Sequence, residues 1–186
     1  MTLKEGMVLY HGSYVAVPEP DLSKCRAGKD FGKGFYLTTD KAQAKRFLKT
    51  SVMKAKDERS VRTQWQEGYV SSFRYHEADG INLFWFEQAD AVWLHCVVAH
   101  RKKGALPGEK KKWSGYDILG GKIANDFTNT VIVAYLDGAY GEAGSGQADQ
   151  FAISRLEPEK LKDQFCFRTA RSLKCLEYLG AERYRV

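Results

Sequence analysis

The sequence predicts an α+β fold with mainly antiparallel sheets. Strand-like and helix-like segments follow one another irregularly along the chain, whereas a parallel doubly wound fold requires regular alternation. The 186 residues are 44% hydrophobic and 13% aromatic, which is enough for a sizeable core without disulfide staples. No internal repeat or linker-like stretch divides the chain, so we expect a single domain over residues 1–186.

The first two predicted strands lie near the N-terminus. One covers Met7 to Tyr10 and runs into residues 11–13, His-Gly-Ser. The other follows the glycine-rich segment Lys29 to Gly34, because glycine permits the tight turn that delivers a chain into a strand. Within that second strand Tyr36 alternates with its neighbours and is expected to face the opposite side from them.

The sequence pattern in the middle of the chain predicts two helices and two strands. Asp40 is a suitable N-cap for a helix that continues to about Lys56. The alternation from Tyr69 to Tyr75 indicates a half-buried strand, and Asn82 to Phe86 a second one. The apolar spacing from Ala89 to His100 predicts an amphipathic helix.

The C-terminal half continues the mixed pattern. We expect a strand over Tyr116 to Leu119 that closes in the following two glycines, and a helix from Thr128 to Tyr140 that the glycine-rich stretch 141–146 breaks. A short helix over Asp149 to Arg155, a strand over Gln164 to Arg168 and a sheet-closing tail from Cys175 to Arg185 complete the prediction.

Charge and cysteine usage restrict the class of protein. The net charge of +6 favours anionic partners, although the basic runs 101–103 and 110–112 flank a loop that is either a solvated connector or a nucleic-acid arm. The four cysteines form no CxxC pair, so we expect reduced, mostly buried thiols and no metal site. No apolar run has membrane-spanning length and the first residues lack a signal-peptide pattern, so a cytoplasmic location without membrane contact is expected.

Common catalytic signatures are missing from the sequence. The glycines of the segment 29–34 enter a strand instead of opening a helix, which argues against a dinucleotide fingerprint or a P-loop. No nucleophile elbow indicates a serine hydrolase, and no local signature supports a Cys/His protease. His11 ends an apolar strand, and its spacing alone is compatible with a structural histidine as well as a ligand-binding one.

Two short motifs nevertheless occur in a characteristic order. Tyr-His-Gly-Ser at residues 10–13 is followed by Lys-Asp-Phe-Gly-Lys-Gly-Phe-Tyr-Leu-Thr at residues 29–38. Together they resemble the first two motifs of the ADP-ribosyltransferase superfamily, in the branch of diphtheria toxin and the poly(ADP-ribose) polymerases. With Tyr-Asp-Ile, Ala-Asn-Asp and a late Gln-Phe-Cys-Phe, the chain more closely resembles an uncharacterised bacterial domain family of that superfamily. The resemblance implies an ADP-ribosyltransferase-like split β-sandwich with flanking helices.

The resemblance also implies roles for individual residues in binding NAD as a co-substrate. His11 would hydrogen-bond a ribose hydroxyl on the adenosine side of NAD, and Gly12 would hold the nicotinamide carboxamide through its backbone. Tyr36 would stack on the nicotinamide ring opposite Phe47, which lies eleven residues later. Ser13 would support the ribose or a phosphate, and Thr38 would touch the carboxamide.

The third motif departs from the family's pattern. Transferring members place a glutamate at the start of a late strand, where its charge stabilises the positive charge that develops on the ribose. Here the matching position is Gln164, which hydrogen-bonds but brings no negative charge. Asp126 is the candidate for a compensating acid or base, and an N-cap of the following helix is an equally good interpretation. Asp30 is interpreted as fixing the turn. Lys33 is either a solvated side chain on a loop or, like Arg26, a group that would meet the NAD pyrophosphate.

The resemblance therefore implies an NAD-dependent mono-ADP-ribosyltransferase with a protein or nucleic-acid acceptor. Such domains often act as toxins, so a neutralising or regulatory partner protein is compatible with this prediction. NAD glycohydrolase activity requires the same pocket, with water as the acceptor. A module that binds NAD or ADP-ribose without turnover is the third hypothesis, and Gln164 is the residue that supports it.

Overall fold

The computed structural model describes residues 2–123, 126–156 and 162–186, and of residues 126 and 127 it describes the backbone only. Seven strands are described: β1 (Val8–Ser13), β2 (Phe35–Leu37), β3 (Glu67–Tyr75), β4 (Leu83–Trp85), β5 (Ile118–Lys122), β6 (Asp163–Phe167) and β7 (Leu176–Arg185). Six α-helices are described: α1 (Lys41–Asp57), α2 (Ala91–Arg101), α3 (Glu109–Lys112), α4 (Asp126–Leu136), α5 (Gly146–Leu156) and α6 (Ala170–Leu173). A 3-10 helix covers Leu22–Lys24.

The strands form two sheets, which confirms the predicted α+β class with mostly antiparallel sheets. The first sheet has the order β1-β3-β7 and the second the order β2-β6-β5-β4. Every pair is antiparallel except β4 with β5. The tail closes the first sheet on β3, as the sequence predicted. None of the described helices is long and apolar enough to cross a bilayer.

A hydrophobic core fills the space between the two sheets. Leu9 and Phe73 come from the first sheet, and Phe35, Leu37 and Phe165 come from the second. A second core lies on the opposite face of the second sheet, where Leu119 and Cys166 pack with residues of α2, α4 and α5. Helix α1 covers the outer face of the first sheet through Ala44 and Leu48. The two sheets are thus layered between helices.

Local sequence signals account for the elements that frame the gap between the sheets. The Asp40 carboxylate accepts hydrogen bonds from the backbone N–H groups of Ala42 and Gln43, and α1 begins directly after it. Such a cap satisfies donors that the first helical turn leaves without partners. Strand β2 follows the glycine-rich turn as predicted, and Gly32 has a φ of 84°.

Two sequence predictions about packing were wrong. Helix α2 is not amphipathic with Val92 on its buried face, since Val92 is 48% exposed while Val98, Ala99 and His100 are buried. Glycines 120 and 121 do not end β5 but lie inside it. A Cβ at Gly120 would lie 2.7 Å from ring atoms of both Trp85 and Phe165, so the close packing of these rings, not a turn, requires glycine there.

The four cysteines are free, and three of them are buried while Cys25 is partly exposed. This confirms that the thiols are mostly buried, as predicted. The basic region predicted as a loop contains the short helix α3. There the Glu109 carboxylate accepts hydrogen bonds from Lys112 Nζ at 2.5 Å and from Trp113 Nε1 at 3.2 Å.

Candidate functional site

The candidate site is the gap that opens between the edge strands of the two sheets. Strands β1 and β2 are joined by a single antiparallel bridge, in which Tyr10 and Thr38 exchange hydrogen bonds of 2.8 and 3.0 Å. If that register continued, Gly12 would lie opposite Tyr36. No further bridge joins the described residues of the two strands, so Gly12 and Tyr36 occupy facing positions that share no backbone hydrogen bond.

Backbone geometry directs the polar groups of Gly12 into this gap. In an antiparallel strand the N–H and C=O of one residue point to the same side, and the side alternates from residue to residue. Because both groups of Tyr10 face β2, both groups of Gly12 face the same way, beyond the last bridge. The strand edge therefore presents one donor and one acceptor side by side.

Helix α1 explains why residue 12 is glycine. A Cβ at this position would lie 2.2 Å from the carbonyl oxygen of Ala44 and 3.4 Å from Leu48 Cδ2. No side chain fits at that distance from a backbone atom, so glycine allows α1 to pack directly on β1. The neighbouring Gln43 has a buried side-chain oxygen, Oε1, that receives no hydrogen bond in the described structure.

His11 connects the two strands. Its Nδ1–H donates to the carbonyl oxygen of Tyr36 at 2.8 Å, and its ring packs on that of Phe35 with the centroids 4.4 Å apart. Burial lowers the pKa of His11, although the hydrogen bond to Tyr36 opposes this. A neutral ring with its proton held on Nδ1 leaves Nε2 as an acceptor. His11 is therefore both a structural link and a potential ligand-binding group.

Tyr36 is fixed by the glycine-rich turn. Its hydroxyl donates to the carbonyl of Gly32 at 2.8 Å and accepts from the N–H of Phe31 at 3.0 Å. Burial raises the pKa of Tyr36 well above its ordinary value, so the phenol remains protonated at neutral pH. The turn holds the ring by its hydroxyl end, and the aromatic ring is oriented before any ligand arrives.

The other sequence-predicted residues occupy different positions. Ser13 is buried on the same side of β1 as His11. The hydroxyl of Thr38 donates to the backbone carbonyl of Asp163 at 3.1 Å and accepts from the N–H of Asp40 at the same distance. It therefore ties β2 to β6 and to the start of α1.

Phe47 is not brought into contact with Tyr36. It lies on α1 with 44% of its surface exposed, and no ring contact joins the two aromatic side chains. The Lys54 ammonium lies 5.9 Å from the centre of its ring. Phe47, the predicted second wall of the slot, is thus a partly solvent-facing ring on the helix that packs on Gly12.

Gln164 lies on β6, on the face of the second sheet that also carries Tyr36. Its backbone pairs with Gly121, and its side chain is almost completely buried. The amide Nε2 donates to Asp30 Oδ2 at 2.5 Å, and Asp30 Oδ1 accepts from Arg101 Nε at 2.6 Å. The glycine-rich turn thus places the Asp30 carboxylate beside Gln164, the position at which the resemblance implies a glutamate.

The side chain of Asp126, the other predicted acid, lies outside the described residues. The backbone of this residue starts helix α4. Asp163, next to Gln164 in the sequence, forms an ion pair of 2.9 Å with Lys122.

Several basic side chains lie near Lys29, the first residue of the glycine-rich segment. Burial and the nearby Lys54 lower the pKa of Lys29, and Arg101 and Arg26 act in the same direction while Asp30 opposes them. Arg26 forms an ion pair with Glu58 at the end of α1. No sequence signal points to Lys29 and Lys54 as a pair, because they lie 25 residues apart and only the fold brings them together. Among the described residues, no group of three His, Cys, Asp or Glu side chains is arranged to hold a metal ion.

Comparison with known proteins identifies a family. Residues 7–178 match the model of a family described as protein of unknown function (DUF3990). Since the match covers most of the 186 residues, the chain belongs to this family. A search of curated proteins and a search of solved structures found no match.

Proposed function

We propose that this protein is an NAD-dependent mono-ADP-ribosyltransferase. The observation that carries the proposal is the gap between β1 and β2, where the backbone of Gly12 and the side chain of Tyr36 come from facing positions and His11 links the strands. The same observation supports the finer fold assignment, an ADP-ribosyltransferase-like split β-sandwich. The proposed ligand is NAD, bound as a co-substrate with its nicotinamide in the gap.

The polar groups of the gap match those of nicotinamide and ribose. A primary carboxamide has one acceptor oxygen and an NH₂ donor, which are complementary to the N–H and C=O that Gly12 directs into the gap. The unpaired Oε1 of Gln43, beside the helix residue that touches Gly12, adds a second acceptor for the NH₂ group. Nε2 of His11 is suited to accept a hydrogen bond from a ribose hydroxyl.

Aromatic and basic side chains supply the rest of the binding energy. The nicotinamide of NAD is a cationic ring, and stacking on Tyr36 contributes about 0.5–2 kcal/mol. Phe47, whose exposed ring already lies near the Lys54 ammonium, would close on the opposite face of the ligand. Lys29 and Lys54 would then lie beside the pyrophosphate, and this anion would relieve their mutual repulsion.

The proposed reaction is a transfer at the anomeric carbon of the nicotinamide ribose. The glycosidic bond breaks and its electron pair leaves with nicotinamide, while a nucleophile of the acceptor forms the new bond and gives up its proton. The acceptor is a protein or a nucleic acid. The positive net charge of the chain is compatible with the latter.

An incubation with labelled NAD tests the proposal. Wild-type protein with cell lysate should move label from the adenosine part of NAD into macromolecules, and protease or nuclease treatment should identify the acceptor. Tyr36→Ala and His11→Ala should each weaken NAD binding in calorimetry by about fivefold or more, since each loses a contact worth about 1 kcal/mol or more. Unaltered binding by both variants would overturn the site assignment.

A second candidate function is binding of NAD or ADP-ribose without turnover. Gln164 favours it, because an amide supplies no negative charge of its own. The labelled NAD would then bind but remain intact, and no nicotinamide would be released. Release of free ADP-ribose without macromolecular label would instead identify an NAD glycohydrolase.

A further inference from the structure

A buried trio of polar side chains lies behind the candidate site. Asp30 is 4% exposed and Gln164 is 8% exposed. Asp30 comes from the glycine-rich turn, Gln164 from β6 and Arg101 from the last residue of α2. The Asp30 carboxylate bridges the other two, with Oδ2 on Gln164 Nε2 at 2.5 Å and Oδ1 on Arg101 Nε at 2.6 Å.

This geometry determines which way the Gln164 amide points. A carboxylate only accepts hydrogen bonds, so the amide atom that contacts Asp30 must be the nitrogen. The carbonyl oxygen of Gln164 is thereby turned away from Asp30, and it accepts no hydrogen bond from a described residue. Rotation of the amide by half a turn would put two oxygens 2.5 Å apart, which excludes the alternative orientation.

The same contact makes that oxygen a stronger acceptor. A hydrogen bond from an amide N–H to a carboxylate draws electron density toward the amide oxygen, and the effect is larger in a buried environment. Arg101 pairs the charge of Asp30 and holds the carboxylate in place. Asp30 thus places a carboxylate in direct contact with the amide of Gln164, which carries no charge of its own.

We propose that Asp30 is a positioning residue of the active site, which orients and polarises Gln164 so that its Oε1 acts in place of a catalytic carboxylate oxygen. This inference rests on the proposed function. Oε1 accepts a hydrogen bond from a hydroxyl of the nicotinamide ribose. As the glycosidic bond breaks and its electron pair leaves with nicotinamide, the polarised oxygen stabilises the positive charge on the ribose until the acceptor's lone pair forms the new bond.

The first test is Asp30→Asn, with nicotinamide release from NAD as the measured rate. The substitution removes the charge, and it allows the Gln164 amide to rotate because an asparagine side chain both donates and accepts. We expect kcat to fall about tenfold or more with a KM for NAD within about threefold, as for other residues that act through a catalytic group. A kcat within about twofold of wild type would overturn the proposal.

An exchange of the two side chains provides the sharper test. Gln164→Glu alone puts two carboxylates in contact, so its kcat should also fall about tenfold despite the glutamate. The double variant Asp30→Asn with Gln164→Glu restores one donor and one acceptor, with the donor now on the turn and the acceptor on β6. Its kcat should return to the wild-type value or exceed it. If Gln164→Glu alone is as active as wild type, or if the double variant stays as slow as the single ones, the proposal is wrong.

A matched control separates catalysis from folding. Asp117 is another buried carboxylate with an arginine partner, and it accepts from Arg171 at 2.6 and 2.7 Å. It lies four residues before Gly121 of β5, about 13 Å from the position of Gln164 along the strand. Asp117→Asn should lower the melting temperature and leave kcat within about twofold of wild type. If Asp30→Asn does not fold, the comparison of the double variant with Gln164→Glu decides the question.

The outcomes for wild-type protein distinguish this inference from the proposed function. If calorimetry detects no NAD binding, both are wrong. If wild type binds NAD but releases no nicotinamide, NAD binding stands and the role of Asp30 is refuted. If wild type turns NAD over and Asp30→Asn does so equally well, only the inference about Asp30 fails.

Discussion

At the scale of single residues, Tyr36 combines a structural and a ligand-facing part. Its hydroxyl is occupied by Gly32 and Phe31, so this group is not available to a substrate. Its ring is the part proposed to stack on nicotinamide. The two parts can be separated by removing the hydroxyl alone.

Tyr36→Phe should therefore lower stability while preserving binding. Removal of the Tyr36 hydroxyl leaves the buried N–H of Phe31 without its acceptor, which lowers the free energy of unfolding by about 1–2 kcal/mol. The NAD dissociation constant should change less than about threefold, since the ring remains. Urea unfolding and calorimetry measure the two quantities, and a large loss of affinity in the phenylalanine variant would show that the hydroxyl itself contacts the ligand.

Gly12 provides a second test at the same scale. In Gly12→Ala the new methyl group would lie 2.2 Å from the Ala44 carbonyl oxygen, so α1 must shift away from β1. We expect a loss of about 1–3 kcal/mol in unfolding free energy. Gly115→Ala is the control, since a Cβ there meets no atom within 4 Å, and its stability should change by less than about 0.5 kcal/mol. Equal effects of both variants would contradict the close packing at Gly12.

Contacts between residues that lie far apart in the sequence could not be predicted from it. Asp30 and Gln164 are 134 residues apart, and neither spacing nor periodicity relates them. Gln164 brings no charge, and from the sequence Asp126 is the candidate for a compensating acid or base. The carboxylate placed on Gln164 comes instead from the turn whose glycines shape the approach to Tyr36.

At the scale of elements, the predictions with a local physical cause were confirmed. Helix α1 has a capping aspartate, and β2 follows glycines that permit the turn. Strand β3 forms where alternation predicts a strand, but its buried side changes from one face to the other between Val70 and Phe73, beside a register shift. The predictions that were wrong concern elements whose packing depends on rings or helices from distant parts of the sequence. Gly120 and Gly121 resemble a turn in the sequence, but the Trp85 and Phe165 rings that pack on Gly120 come from β4 and β6. Helix α2 is buried on most of its surface, which no helical periodicity predicts.

The cap of α1 links the stability of an element to the geometry of the site. Asp40→Ala removes acceptors for the N–H groups of Ala42 and Gln43, directly before the residue that contacts Gly12. Unfolding free energy should fall by about 1 kcal/mol, and NAD affinity should decrease as the first turn loosens. Asp90→Ala, which uncaps α2 at Trp93, is the matched control and should lower stability without weakening NAD binding. Equal affinity losses in both would indicate a general effect of destabilisation.

At the scale of the whole molecule, the buried His100 and the partly buried His11 make stability depend on pH. Burial lowers the pKa of His11 and of His100 below the ordinary value of 6.5. The unfolded chain therefore binds more protons than the folded protein as the pH falls below about 6.5. By linkage, their contribution to stability is present above this pH and is lost on acidification. His76 has a raised pKa from its contacts with Glu177 and Glu5, so its contribution has the opposite sign and is lost as the pH rises.

We expect the free energy of unfolding to decrease from about pH 6.5 to pH 5, by up to about 1.4 kcal/mol per pH unit for each histidine that stays neutral when folded. His11→Asn, whose amide can still donate to the Tyr36 carbonyl, should reduce this slope because it removes one of the two groups. His76→Gln is the control at an exposed site and should leave the slope below about pH 6 unchanged, since that histidine is protonated there in both states. Urea unfolding at several pH values measures the slopes. An identical slope in His11→Asn and wild type would mean that His11 takes up its proton in the folded protein, and Nε2 could then not serve as the acceptor for a ribose hydroxyl.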